Sequence, residues 1–299
     1  MLNRILTHFT ARRKPSKGGV KPSSGHPMPT GHQGVLLDDY DEGPVPSYPP
    51  FQHGIPAASV RQVMETQSQL ILQIKEQLGL APKEWEKVVH PMLVRYAEIV
   101  HLLPASEAHH HRGAGGLFRH GLEAGFWACR SAENKIFTKA KTPLLRRGEG
   151  KRWEVAALTG GLAHDVGKTI SDVSVTDREG LLEWNPHQPL AQWLAEHKAR
   201  RYFLHWNGGR EHKRHESFSV LFMAHIIQGT TKAYLLSHPE VMDQLLRVVS
   251  GQGEDTEFGK VVLWADRQSV SRDLKHQRIS PDEFAYGVPV GCTEKPSWH

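Results

Sequence analysis

Cysteine is scarce in this chain: two in 299 residues, Cys129 and Cys292. Two thiols make neither a disulfide framework nor a thiolate zinc site. Long apolar runs are missing as well. None approaches the roughly 20 residues that span a bilayer, and the mean hydropathy is −0.48. Nor is there an internal repeat that would indicate a solenoid. Histidine, by contrast, is plentiful, at 20 residues. Any metal site must therefore be built from imidazole and carboxylate, a donor set that suits manganese, magnesium, cobalt, iron or zinc.

The formal charge of +5 is unevenly distributed. Arg4, Arg12, Arg13, Lys14, Lys17 and Lys21 face no acid before Asp38, so the first 37 residues carry +6 and the rest carries −1. The high pI of about 9.1 thus belongs to the tail. Residues 1–56 also hold 9 of the 19 prolines. Such composition cannot bury a core, which predicts a flexible or extended tail.

From Ala57 onward the pattern is helical. Val60, Val63, Met64, Leu70, Ile71, Ile74 and Leu78 recur at three- and four-residue steps, predicting one helix that ends at Gly79. This stripe is also a candidate homodimer face. A second helix is expected from Pro82, kinked at Pro91 and stopped by Pro104. Further helices are expected over about 116–132 and from about Arg152 to Gly167, separated by a basic link from Lys135 to Lys151. A short β-hairpin is expected over 173–184. Helices near 189–200, 213–228, 230–236, 239–250 and 256–274 complete a mostly α chain. The domains expected are a tail (1–56), a helical buttress (57–104), a catalytic core (105–275) and a C-terminal extension (276–299).

Two acidic sites lie in apolar surroundings, the first with an adjacent imidazole. The small-residue run from Ala156 to Ala163 leads directly into His164-Asp165-Val166-Gly167-Lys168, and Val261 to Ala265 delivers Asp266. Burying such groups is costly unless something pairs with them, and a divalent cation is the natural partner. His120 lies among Gly115, Gly116, Gly121 and Gly125, which allow a second helix backbone to come close. Together they offer two nitrogens and two carboxylates.

His120, His164–Asp165 and Asp266, in this order, resemble the metal-binding signature of the HD superfamily of phosphohydrolases. The stretches LLPASEAHHHRGAGGLFRHGLEAGFWA, GGLAHDVGK, HKRHESFSVL and ADRQSVSRDL resemble the MobH family of conjugative relaxases, the TraI-type proteins, over about residues 57–275. The resemblance implies an HD-type helical bundle that nicks one DNA strand at a transfer origin with a bound divalent metal, manganese being favoured, as one or two ions. It implies His120, His164, Asp165 and Asp266 as ligands, with His215 and His205 as further ones. Lys168 would contact substrate phosphate. His109, His110 and His111 match a family motif whose role does not follow from the superfamily, and orienting phosphate, protonating the leaving oxygen and adding a ligand stay open for them. A coupling protein of type IV secretion and a bacterial cytoplasmic location are implied too. Family members are usually longer, so an end at His299 implies a truncated chain or a short member.

Metal-activated water is the expected nucleophile. A covalent tyrosine is the alternative, with Tyr40, Tyr48, Tyr96, Tyr202, Tyr234 and Tyr286 as candidates. DNA contacts are expected from two basic clusters. One contributes Lys139, Lys141, Arg146 and Arg147, and the other Arg200, Arg201, Arg210, Lys213 and Arg214. Tyr202, Phe203 and Trp206 would stack on bases or fill the core. Two other readings compete: a phosphohydrolase of nucleotides or cyclic dinucleotides, and a non-catalytic DNA-binding scaffold.

Overall fold

The computed structural model describes residues 53–137, 143–208 and 213–279, with the side chains of 143–148 and 276–279 outside that description. The expected flexible tail and most of the expected C-terminal extension therefore lie outside the described residues, as do Lys139, Lys141, Arg210, Tyr40, Tyr48, Tyr286 and Cys292. What is described is mostly helical, with a small antiparallel sheet.

The first apolar stripe forms two helices, α1 (Val60–Glu65) and α2 (Ser68–Leu78). Ser59 caps α1 through a capping box with Gln62. The break falls at Thr66, whose hydroxyl donates to the Val63 carbonyl at 2.7 Å. Val63, Ile74 and Leu78 are fully buried within the chain's own core, with Val60, Met64, Leu70 and Ile71 partly buried against it. Gly79, at φ 55°, ends α2 in the left-handed conformation that glycine adopts without penalty.

Next come a single turn, α3 (Pro82–Glu84), a π-helical turn (Trp85–Val89) and α4 (His90–Val100). Pro91 carries no N–H for the turn behind it, and the chain widens there. The kink expected at Pro91 is this π turn. Helix α4 ends at Val100, four residues before the expected stop at Pro104, because His101 turns to φ 44°. There the buried His101 ring donates from Nε2 to the Ala58 carbonyl at 2.8 Å and accepts from the Tyr202 hydroxyl at Nδ1, 3.0 Å away.

Helices α5 (Gly116–Glu133), α6 (Pro143–Ala163) and α12 (Glu257–Ile279) form the centre of the fold. Helix α6 starts at Pro143, well before the expected Arg152, since proline is favoured at a first helical position. The basic link is therefore partly helix. A side chain at Gly161 of α6 would run into the backbone nitrogen of Gly125 on α5. These two glycines let the helices meet backbone to backbone, as their small-residue sequences implied.

A short helix, α7 (Lys168–Ser171), leads to the sheet. Its strands β1 (Ile55–Pro56), β2 (Val173–Thr176) and β3 (Arg201–Trp206) lie in the order β1-β3-β2, all antiparallel. Val173 pairs with Trp206 and Thr176 with Phe203. The expected hairpin forms as a short return, with Glu183 bridged to Thr176 and the Trp184 amide donating to the Val175 carbonyl at 2.8 Å, while the longer partner of β2 is β3. Residues 177–183 close a turn on the Asp177 carboxylate, which accepts from the amides of Leu181 and Leu182 at 2.8 and 3.0 Å. The Trp184 indole then donates away from the strand, to the Gln188 carbonyl.

Helices α8 (Leu190–Glu196), α9 (Arg214–Ile226), α10 (Gly229–Leu236) and α11 (Pro239–Val249) follow the sequence expectation closely. A side chain at Gly167 would collide with the His215 carbonyl, so α9 is seated directly on the turn that follows α6.

Candidate metal centre

Three of these contacts set the site. The α5–α6 glycine contact brings His120 beside His164 and Asp165, α12 lies along α5 and adds Asp266, and α9 brings His215 from the other side. His120 is the hub. Its Nε2 lies 3.2 Å from His164 Nε2, 3.2 Å from Asp165 Oδ2 and 3.3 Å from Asp266 Oδ1. His164 Nε2 is 3.6 Å from Asp165 and 3.5 Å from Asp266. His215 Nε2 approaches the other Asp165 oxygen, Oδ1, at 3.2 Å.

The ring tautomers follow from what lies behind them. His164 Nδ1–H donates to the Gly161 carbonyl at 2.8 Å, which leaves Nε2 as a lone pair facing the cluster. Ser269 gives its hydroxyl proton to Glu123 Oε2 at 3.0 Å. Its oxygen then accepts from His120 Nδ1 at 3.0 Å and from His111 Nε2 at 2.9 Å. Arg119 holds the other Glu123 oxygen at 2.9 Å. One hydrogen, on His120 Nε2, then faces three acceptors within 3.3 Å. Asp165 Oδ2 also accepts from Lys168, but a single proton cannot satisfy both His164 Nε2 and Asp266 Oδ1 beside it, whereas a divalent cation can. The donor set fits such an ion, and two triads have ligand atoms within 4.8 Å of one another: His120 with His164 and Asp266, and His110 with His120 and Asp165.

Electrostatics agree. Burial alone would lower the His120 pKa, but the Asp165 and Asp266 carboxylates outweigh it and raise the imidazolium to about 9. Burial opposes ionisation of Asp165 too, yet Lys168, His164, His120 and His215 hold it well below the usual carboxylate range. Asp266 is lowered in the same way, its histidine partners overcoming its burial. Lys168 Nζ donates to Asp165 Oδ2 at 2.6 Å and stays protonated, since Asp165 more than offsets its burial.

The cluster opens into a cleft of about 270 Å³, lined by the polar His110, Lys168, His215, Glu216 and Asp266 and by the apolar Val248, Val262 and Val270. Residues 54–290 match the TraI_2 family, described as "Putative helicase". The chain belongs to the TraI_2 family. No curated protein matches it. All four motifs that carried the TraI-type resemblance lie within the matched residues of this TraI_2 chain.

The expected site residues of the TraI_2 chain fall into three groups. His120, His164, Asp165 and Asp266 converge, with His215 and Lys168 on Asp165. The triple histidine divides. His110 faces the cleft, and burial, helped by the nearby His120 and Lys168 charges, lowers its pKa to about 3. His111 is fully buried behind His120, against Ser269 and Asp273. His109 is exposed on the loop, its amide donating to Ser106. The third group lies elsewhere. His205 is on β3 with its ring 3.1 Å from the Thr176 hydroxyl, away from both triads.

Among the expected DNA contacts, Lys213 is paired with Glu254 and Glu216. Arg201 donates to the His53 and Gly54 carbonyls at 2.9 and 3.0 Å. Arg214 lies 5.6 Å from the Phe218 ring, and Arg200 is exposed. Arg146 and Arg147 sit on α6 with their side chains outside the described residues. Tyr202 is fully buried, so of its two expected roles the core one holds. Tyr96 is buried too, its hydroxyl donating to the Leu117 carbonyl at 2.9 Å, and Tyr234 is stacked on Arg152. Neither ring lines the cleft.

Three residues of the network had not been singled out: Glu123, Ser269 and Asp273. Helical spacing was the available signal. Glu123 lies three residues after His120, and Ser269 and Asp273 lie three and seven after Asp266, each on the ligand-bearing face.

Proposed function

We propose that the chain is a metal-dependent phosphodiesterase that nicks one strand of DNA at a conjugative transfer origin. The observation that carries this is the His120 hub: one proton shared among His164, Asp165 and Asp266 at a cleft edged by Lys168. The family description of a helicase does not extend to a nucleotide-binding P-loop here. Gly167-Lys168-Thr169 is the sequence's single Gly-Lys-Ser/Thr triplet, and its spacing from Gly161 is one residue too long. A P-loop follows a strand and opens a helix, whereas this triplet follows helix α6 and its lysine is tied to Asp165.

His120, His164, Asp165 and Asp266 would hold the ion, with His110 or His215 as a further ligand. One manganese ion or two would serve, and magnesium, cobalt, iron or zinc suit the same donors. When bound, the ion would lower the pKa of a water and neutralise charge gathering on the phosphate. The chain's own residues do the remainder. Lys168 keeps a positive charge at the cleft and would meet a phosphate oxygen as Asp165 turns to the ion. Glu123 acts through Ser269 to hold the His120 ring with Nε2 forward. His110, neutral in the structure, suits a ligand or hydrogen-bond partner better than a proton donor. The described tyrosines offer no nucleophile, which favours water.

Asp165→Ala is the decisive variant. It should abolish manganese-dependent nicking of a supercoiled origin plasmid while leaving DNA affinity within about threefold. Nicking at the parent rate would sink the reading. The cleft volume also admits a single nucleotide. Release of phosphate from nucleotides by the parent, without nicking, would favour the phosphohydrolase alternative instead. The coupling protein of type IV secretion belongs to this proposal as the partner that would receive the nicked strand.

A further inference from the structure

The outer face of α12 bears an aromatic and cationic stripe that the metal centre does not use. Lys260, Trp264, Arg267, Ser271 and Lys275 follow one another at four-, three-, four- and four-residue steps, along about 22 Å of helix. All five are exposed, Trp264 to 43%. Lys260 is held by Glu257 at 2.7 Å. Among the described residues, neither Arg267 nor Lys275 is engaged in an ion pair.

Trp264 is not adrift. Its ring meets Trp127 of α5 at 89°, with centroids 6.1 Å apart, and the Arg130 guanidinium lies 5.6 Å from the Trp127 ring. The indole is thus steadied at its inner side and open to solvent beyond it. A shallow cavity of about 440 Å³ runs along the same face, lined by Asp266, Arg267, Val270, Ser271, Leu274 and Lys275. It shares Asp266 and Val270 with the metal cleft, so the stripe is continuous with the site.

We propose that this face of α12 is a binding track for single-stranded DNA, with Trp264 stacked on an unpaired base and Arg267 and Lys275 on flanking phosphates. Charge complementarity and continuity with the cleft select this occupant. A steadied indole beside cationic side chains is the arrangement by which proteins hold unpaired strands. Duplex DNA conceals its base faces and would gain only the phosphate contacts. The inference rests on the DNA-acting reading and names where that substrate lies.

The test uses the full chain in EDTA, where no cleavage interferes, with a fluorescent mixed-sequence 20-nucleotide probe read by anisotropy. Trp264→Ala should weaken single-strand binding at least about fivefold, and Trp264→Phe should restore most of it. Affinity for the matched duplex should change less than twofold. Arg267→Ala with Lys275→Ala should weaken both and flatten the salt dependence. Manganese binding by calorimetry, unchanged in each variant, reports an intact fold. Photo-crosslinking of 5-iodouracil oligonucleotide to the parent, mapped by mass spectrometry, should mark Trp264 and needs no variant. Crosslinks confined to other elements, single-strand affinity indifferent to Trp264→Ala, or a parent that binds no single strand would overturn the proposal. Nicking that persists when Trp264→Ala changes no affinity would sink the track alone. Trp264-dependent binding without nicking would sink the catalytic reading alone.

Discussion

Ser269 is the residue on which the candidate centre turns. Its one hydroxyl proton goes to Glu123, which obliges both neighbouring imidazoles to donate to its oxygen. Outer groups that fix a ligating ring commonly contribute 10- to 100-fold in metal affinity. Ser269→Ala should therefore weaken manganese binding by about that factor, with circular dichroism unchanged. Affinity equal to the parent's would show that the ring needs no such support. His120 provides a second prediction at this scale. Its pKa of about 9 means that the imidazolium is protonated at pH 7 in the metal-free chain. A ligating nitrogen must surrender that proton. Metal binding at pH 7 should release about one proton and weaken as pH falls, as calorimetry in buffers of different ionisation enthalpy will read. His120→Gln should abolish this release.

At the scale of elements, the contact between α5 and α6 decides whether the ligands meet. Gly125 and Gly161 let the two backbones touch, so the helices cannot accept a Cβ there without separating. Gly161→Ala should destabilise the fold by about 1–3 kcal/mol, the usual range for overpacking, measured by urea unfolding. It should also lower metal affinity, because His120 and His164 ride on the separated helices. Stability equal to the parent's would mean that the close approach is not tight. Elements also explain what the sequence pattern concealed. Strand β3 reads as a basic, aromatic stretch because its residues serve different neighbours. Tyr202 enters the core, while the Arg201 guanidinium reaches back to residues 53 and 54. No alternation on one strand announces a partner 147 residues earlier, the distance between the paired Ile55 and Tyr202.

At the scale of the whole molecule, His101 ties three distant segments together: the Ala58 carbonyl, the end of α4 and the Tyr202 hydroxyl of β3. Its complete burial lowers its pKa to about 4, against 6.5 in the unfolded chain. The folded state therefore takes up its proton later than the unfolded state as acid is added. The stabilisation is full above about pH 6.5 and is lost progressively as pH falls toward 4, by about 3 kcal/mol in all. Urea unfolding at pH 7 and pH 4.5 should show this loss. The non-titrating His101→Asn, less stable at pH 7, should show a shallower one. An equal slope in both would assign the acid sensitivity to other groups.

Much of this chain was legible in its sequence because it is local. Apolar periodicity marked α5, α8, α9, α10 and α11 closely, and small residues around His120 and His164 announced a tight helix contact. The residue types of the candidate metal cluster were equally plain, since scarce cysteine leaves imidazole and carboxylate as the donors. Only the tertiary structure decided which histidines meet. His110 and His111 are neighbours in sequence, yet one enters the cleft and the other lies behind His120, because the loop at His111 turns to φ 49°. His205 was placed apart by a strand pairing that local pattern does not encode. The scarcity of cysteine thus fixed the chemistry of the centre, while helix contacts and loop turns, which depend on residues far apart in the chain, fixed its membership.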